Sequence, residues 1–318
     1  MPSLDLNRRA LELADHMAAS AARLRIEALE VAGGGRVLDC GAAVAGGLEA
    51  GVLLARLTLA DLARVEIEPG EAGGFACPHI AVRTDHPVAA CMASQYAGWQ
   101  IAIGDFFAMG SGPFRALHGE EEIFDRIGFR ERSDVAVGVL ETRTIPGPEV
   151  LRELSEKLGV SRGRITLAVA PTASIACGVQ VASRSVETAL HKLHALDFDI
   201  GRVVSGFGTA PLPPPAKSDL ASLGRTNDAV LYGASVSLWV RGDDASLEDA
   251  GRRVPSSTSR DWGKPFAEVF ARYGNDFYKV DPLLFSPAEV ILHNIDTGRT
   301  HRFGRRDEDV LRASFYAP

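Results

Sequence analysis

Residues 4–19 carry apolar side chains at helical spacing (Leu11, Leu13, Ala14, Met17, Ala18), with Asp5 or Asn7 placed to cap the start; the pattern predicts an amphipathic helix. Over residues 24–40 it shortens to Leu24-Arg25-Ile26 and Val37-Leu38, broken by Gly33-Gly34-Gly35, which predicts two strands and a turn. A helix over 47–57 follows. Residues 80–83 read as a strand, and Pro87 suits the first turn of a helix reaching Trp99, because proline there gives up a donor that has no partner. Next come a strand over 135–140, a helix over 148–158, a strand over 165–169 and a long helix over 173–196 preceded by Pro171. Residues 212–219, with Pro213-Pro214-Pro215, suit neither helix nor central strand and read as an ordered loop or a crossover between lobes. A strand is expected over 229–240. Strand followed by helix recurs throughout, so the fold class is α/β.

Two segments look alike. The first reads IAVRTDHPVAACMASQYAGW and then IAIGDFFAMGSGP; the second reads ITLAVAPTASIACGVQVASR and then FDIGRVVSGFGTAP. In each, a strand leads into a proline-started helix carrying Gln95 or Gln180, followed by Ile-Gly, an apolar strand and a Gly-x-Gly loop ending in proline. The order predicts two related half-units, the second with a helix longer by more than ten residues. A strand-helix-strand unit punctuated by proline and glycine gives the same order without duplication, so superposition of the two segments decides.

Composition narrows the function classes. The chain has 318 residues, room for two ordinary domains. Its 41 acidic against 34 basic residues give a net charge of −7, the wrong sign for a protein that neutralises phosphate backbones, so no nucleic-acid partner is expected. Cys40, Cys77, Cys91 and Cys177 stand far apart with no CxxC pair, which excludes a zinc knuckle or redox motif and suits a reducing cytoplasm. The first residues lack the continuous apolar core of a signal peptide. The uncharged stretches 87–104 and 165–183 approach membrane-span length, yet both contain proline, glycine and polar side chains and read as buried core, so no membrane partner is expected.

Several motifs invite chemistry. Gly206-Phe207-Gly208 follows a strand, but a dinucleotide fingerprint must open a helix, and this one runs into Pro211 and Pro213-Pro214-Pro215. Gly110-Ser111-Gly112-Pro113 meets the same objection, although backbone amides in such loops can bind an anion or a heterocycle edge. No GxxxxGK[ST] occurs. Arg184 and Glu187, three apart, share a helical face. A carboxylate beside a guanidinium stays ionised and oriented, as a general base acting on water requires; a surface ion pair gives the same spacing. The small apolar residues before them favour a cleft edge. Glu187, His191 and His194 also share a face and form a candidate metal set, though the spacing is not HExxH. His86, before a proline, suits capping as well as catalysis. The segments 224–228 (GRTND) and 254–266 (VPSSTSRDWGKPF) are rich in hydrogen-bonding side chains and read as capped loops or as readers of amide-rich heterocycles, with Ser259 or Asp261 placed to cap a helix over 266–273.

Together, DCG at 39–41 with GGLEAG at 46–51, ACMASQYAGW at 90–99, FFAMGSGPFRAL at 106–117, APTASIACGVQVASRSVETALHKLH at 170–194, SGFGTAPLPP at 205–214, GRTNDAVLYG at 224–233, VPSSTSRDWGKPF at 254–266 and DFYKVDPLLFSPA at 276–288 resemble the methenyltetrahydromethanopterin cyclohydrolase family. The likeness runs from the first helix almost to the C-terminus. It implies two α/β lobes with the active pocket between them and assembly as a homo-oligomer, trimer or dimer. The lobe boundaries expected are 1–86 with 176–266, and 87–175 with 267–318. It also implies interconversion of 5,10-methenyl-tetrahydromethanopterin and its N5-formyl derivative by water addition, in formaldehyde oxidation or methanogenesis, with a pterin substrate and no metal or other cofactor. The family's R-x-x-E pair falls on Arg184 and Glu187, which are the expected catalytic residues. Asp39, Gln95, Ser111 and Asn227 are expected near substrate from motif density. Two other readings stand beside this one: a metal-dependent amidohydrolase using Glu187, His191 and His194, and a pterin-binding protein without turnover.

Overall fold

A computed structural model describes residues 4–276 and 279–316; Phe277 and Tyr278 of the DFYKVDPLLFSPA segment lie outside the described residues. The chain is mixed α/β and divides into two compact units, one from the residues up to Ala63 together with Ala89–Gln180, the other from Arg64–Val88 together with the residues from Val181 onward. Two of the crossings fall close to expected boundaries. The partition differs from expectation, because the N-terminal residues pack with the middle of the chain and residues 267–318 pack with 181–266.

The first unit is built on a six-stranded sheet in the order Glu27–Glu30, Arg36–Asp39, Ile165–Ala170, Ala136–Glu141, Phe106–Ser111, Trp99–Ile103. Its three central strands, Arg36–Asp39, Ile165–Ala170 and Ala136–Glu141, run parallel, and antiparallel neighbours close both edges. Ile165–Ala170 is buried at every position, as a strand covered on both faces must be. Val37, Leu140, Leu167 and Val169 meet Leu151 and Leu154 of the helix Pro148–Leu158 in the core. The turn expected at Gly33-Gly34-Gly35 is present, with all three glycines at positive φ. Helices Leu6–Ala19 and Leu48–Thr58 form where the pattern places them. Neither expected side chain caps the first: Asp5 makes no capping bond, and Asn7 is buried, giving its amide to Glu131 and Pro113 and taking the Val137 amide at 2.9 Å.

The helix begun at Pro87 ends at Gln95, short of Trp99. Val88–Gln95 is a π-helix, in which the Tyr96 amide reaches back five residues to the Cys91 carbonyl. Trp99 instead opens a strand, its ring packed on Phe114 at 4.8 Å and stacked on His118 at 4.1 Å. These partners lie 15 and 19 residues ahead, so local periodicity does not reveal them.

The second unit holds a six-stranded sheet ordered Thr300–Gly304, Glu289–Asn294, Ser235–Val240, Val203–Pro211, His79–Thr84, Arg64–Glu68, in which only Glu289–Asn294 and Ser235–Val240 are parallel neighbours among the described strands. Residues 206–208 therefore lie inside a strand and not in a loop, and residues 110–111 likewise end the strand Phe106–Ser111. The glycines at 206 and 208 have a packing reason. A Cβ on Gly206 would stand 2.7 Å from Val186 Cγ1 and one on Gly208 2.4 Å from Ser185 Oγ, so the missing side chains let the helix Ser185–Ala195 lie close on the strand.

Three further expectations change. The long helix over 173–196 is two helices, Ile175–Ala182 and Ser185–Ala195. Residues 229–231 end the helix Asp219–Leu231, so the following strand begins only at Ser235. The GRTND segment belongs to that helix and is no loop, and Asp228 takes the Phe266 amide at 2.8 Å at the start of the helix Phe266–Arg272, the service expected of Ser259 or Asp261.

Candidate active site

The break between the two helices sets the geometry of the charged pair. Ala182 ends one helix, Ser183 and Arg184 turn, and the Arg184 carbonyl accepts both the amide and the hydroxyl of Thr188 at 2.8 and 2.7 Å as the second helix starts. Glu187 thus sits in a first helical turn, where the unsatisfied amides make the end positive and favour an acidic side chain. Arg184 Nη1 stands 3.9 Å from Glu187 Oε2, with side-chain exposures of 13% and 8%. The surface-pair reading therefore gives way, since both groups are largely withdrawn from water. At 3.9 Å the attraction is ionic and not a direct hydrogen bond.

Around this pair the helix is unusual. His191, one turn beyond Glu187, is pushed down to about 4, chiefly by burial and further by the charges of His194 and Lys192, so its ring is neutral near pH 7. Lys192 is buried, and its ammonium donates to the Leu283 carbonyl at 2.5 Å. Ser185 Oγ is buried with no hydrogen-bond partner among the described residues. No group of three or more His, Cys, Asp or Glu side chains that could hold a metal ion occurs among the described residues, so Glu187, His191 and His194 do not make one. No described helix is long and apolar enough to cross a membrane.

The family described as Cyclohydrolase (MCH) matches residues 5–315. The chain is 49% identical over 316 residues, 98% of its own length and 95% of the relative's, to the methenyltetrahydromethanopterin cyclohydrolase of Rhodopirellula baltica. It is 40% identical to the protein of that name in Methanococcoides burtonii, with 98% of each chain covered, and 46% identical to that of Xanthobacter autotrophicus over 88% and 83%. The chain belongs to the cyclohydrolase (MCH) family.

In this member of the family the other expected site residues fall as follows. Asp39, at the end of the strand Arg36–Asp39, is fully buried, and its carboxylate accepts the amides of Gly41, Ala42 and Ala43 at 3.0, 2.6 and 2.8 Å, which shapes the turn after the strand. Gln95 ends the π-helix, buried, its amide 3.3 Å from Thr58 Oγ1. Ser111 is drawn toward it, because the adjoining Gly112 amide donates to the Ser94 carbonyl at 2.8 Å. These three belong to the first unit. Asn227 belongs to the second, on the helix Asp219–Leu231, where its amide bonds the Leu223 carbonyl one turn back at 2.9 Å. His86 is exposed and its backbone amide is capped by Thr84 Oγ1.

Sequence reasoning passed over Lys192 and Asp281 and read Ser259 and Asp261 only as helix caps; Ser259, Asp261 and Asp281 form one buried cluster that reaches Lys192 through Leu283. Asp281 Oδ2 accepts from Ser259 Oγ at 2.7 Å and from the Arg260 amide at 3.2 Å, while its own amide donates to Asp261 Oδ2 at 3.0 Å. Tyr273 OH donates to Asp261 Oδ1 at 3.0 Å. A signal for Lys192 was present: it lies three residues after Ala189 and next to Leu193, on an apolar side of the helix where a lysine is rare.

Proposed function

We propose that this chain is a cyclohydrolase that adds water to 5,10-methenyl-tetrahydromethanopterin and opens it to the N5-formyl derivative, reversibly, without a metal or other cofactor. The buried Arg184–Glu187 pair on a helix start carries this reading, and the names of the relatives supply the substrate. The methenyl carbon lies between two nitrogens of an amidinium-like cation and is already electrophilic, so what remains is to place one water and remove its proton. Glu187 takes that proton as the water oxygen bonds to carbon, giving a neutral hydroxy adduct. The hydroxyl proton then leaves as the carbonyl forms, and the second nitrogen departs with a proton returned through Glu187, so one net proton is released. Arg184 orients Glu187 and stabilises negative charge on the adduct oxygen.

Asp39, Gln95, Ser111 and Asn227 complete the proposal as residues that bind or shape the pterin site, Asp39 through the turn it holds. The chain acts as a homo-oligomer, trimer or dimer, in the cytoplasm, on a small pterin and on neither nucleic acid nor membrane. The test is the near-ultraviolet absorbance of the methenyl compound with purified, EDTA-treated protein against a protein-free blank. Decay faster than the blank is expected. Decay equal to the blank contradicts the proposal, and decay that chelation abolishes points to the metal-dependent amidohydrolase instead.

A further inference from the structure

A lysine side chain withdrawn from water needs compensation, and Lys192 lies 1% exposed on the helix that carries Glu187. Its ammonium donates to the Leu283 carbonyl in the short turn Pro282–Leu284. That turn is held by Asp281, whose Oδ1 accepts the Leu283 amide at 3.0 Å and whose other oxygen holds Ser259 and the Arg260 amide. Asp281 in turn rests on Asp261, which Tyr273 and, at 3.6 Å, Arg272 secure. The two motif segments around 254–266 and 276–288 are thereby joined into one buried polar frame whose outermost hydrogen bond reaches the helix of the charged pair.

We propose that Lys192 is a positioning residue for the reaction: its hydrogen bond to Leu283, backed by the Asp281 carboxylate, fixes the helix Ser185–Ala195 so that Glu187 meets the reacting water. Burial pushes the ammonium down to about 8; the Asp281 carboxylate pulls it up and Arg253 pushes it down further. An apolar side chain of similar length would fill the same space without that desolvation penalty, at the loss of the one hydrogen bond to the Leu283 carbonyl. A group kept at such cost on the helix of the proposed base points to geometry. Because a misplacement on the order of 1 Å at a reacting group can slow turnover by about 10²-fold, a single tether on this helix has leverage.

This inference rests on the cyclohydrolase reading, and the experiment separates the two. Turnover number, KM and thermal midpoint are measured on the full chain for wild type, Lys192→Met, Lys192→Arg and Asp281→Asn, with the methenyl compound as substrate. Lys192→Met lowers the thermal midpoint by no more than a few degrees and keeps KM within about twofold while kcat falls about tenfold; Lys192→Arg, which restores a charged donor, recovers part of the kcat loss. Asp281→Asn lowers kcat by less, again with KM unchanged, and adds nothing to Lys192→Met in the double variant. Wild-type kcat in Lys192→Met overturns the proposal. If Lys192→Met does not fold, wild-type kcat in Asp281→Asn overturns it. Absence of turnover in the wild type contradicts the function reading and this proposal with it, whereas fast wild type beside an equally fast Lys192→Met overturns this proposal alone.

Discussion

The segments 80–113 and 165–211 begin alike and diverge where the chemistry begins. Both run from a strand into a helix and on to an apolar strand, His79–Thr84 to Phe106–Ser111 in one, with the further strand Trp99–Ile103 in between, and Ile165–Ala170 to Val203–Pro211 in the other. The first helix, Val88–Gln95, contains no charged residue, is buried almost throughout, and is held at its end by Arg115, which donates to the Met92 and Ser94 carbonyls and pairs with Glu121. The second breaks at Ser183-Arg184 and continues for eleven residues that carry Glu187, His191 and Lys192. The order strand, helix, strand is shared, and the charged residues lie in the helix Ser185–Ala195 of the later segment, which follows the break. The comparison also assigns the glycines: those at 206 and 208 face the helix Ser185–Ala195, so strand and helix form one packing unit.

Breaking the comparison at the helix Ser185–Ala195 gives the largest effect. Arg184→Ala lowers kcat by about 10²-fold, because it removes both the orienting charge and the stabiliser of the adduct oxygen; steady-state decay of the chromophore measures it. Next, Gly206→Ala drives a methyl against Val186 Cγ1 and destabilises by about 1–3 kcal/mol in urea unfolding, with a loss of kcat because the helix must move.

A smaller effect lies away from that helix, at Asp228. Burial raises its carboxyl to about 7 from an ordinary 3.8, Glu268 adds to the rise, and Ser314 and the Phe266 amide oppose it. The folded state therefore holds a proton that the unfolded chain releases near pH 4. Its stabilising contribution is complete below about pH 4 and disappears as the pH rises toward 7. Asp228→Asn, which keeps an acceptor for Phe266, raises the thermal midpoint above that of wild type at pH 8 and matches it near pH 4, a difference on the order of 2 kcal/mol. The smallest effect belongs to Ser185→Ala: deleting a buried hydroxyl that has no hydrogen-bond partner among the described residues leaves stability within about 1 kcal/mol of wild type or raises it.

Much of the frame is legible in the chain itself. The helix over 148–158 begins at a proline, carries Val150, Leu151, Leu154 and Leu158 on one face, and ends at Gly159 with φ of 67°; each signal is local, and the helix matches expectation residue for residue. The misread elements depend on distant partners. Trp99 joins a strand because Gly110 and Phe114 receive it, the Asp228 cap reaches 38 residues ahead to Phe266, and Gly206 and Gly208 resemble a loop until the helix packed on them is seen. Of the candidate site, the i, i+3 spacing revealed Arg184 and Glu187 as a pair. It did not reveal the helix break that puts Glu187 in a first turn, nor the Lys192 tether, whose acceptor is a backbone carbonyl 91 residues away.

The most direct test of the account is turnover of Glu187→Gln beside wild type on the methenyl compound, each shown to be folded by its thermal midpoint. The glutamine fills the same space and cannot take a proton, so kcat falls by at least about 10²-fold with the fold intact. Turnover within a fewfold of wild type contradicts the assignment of Glu187 as the base, and with it the claim that the helix Ser185–Ala195 carries the chemistry.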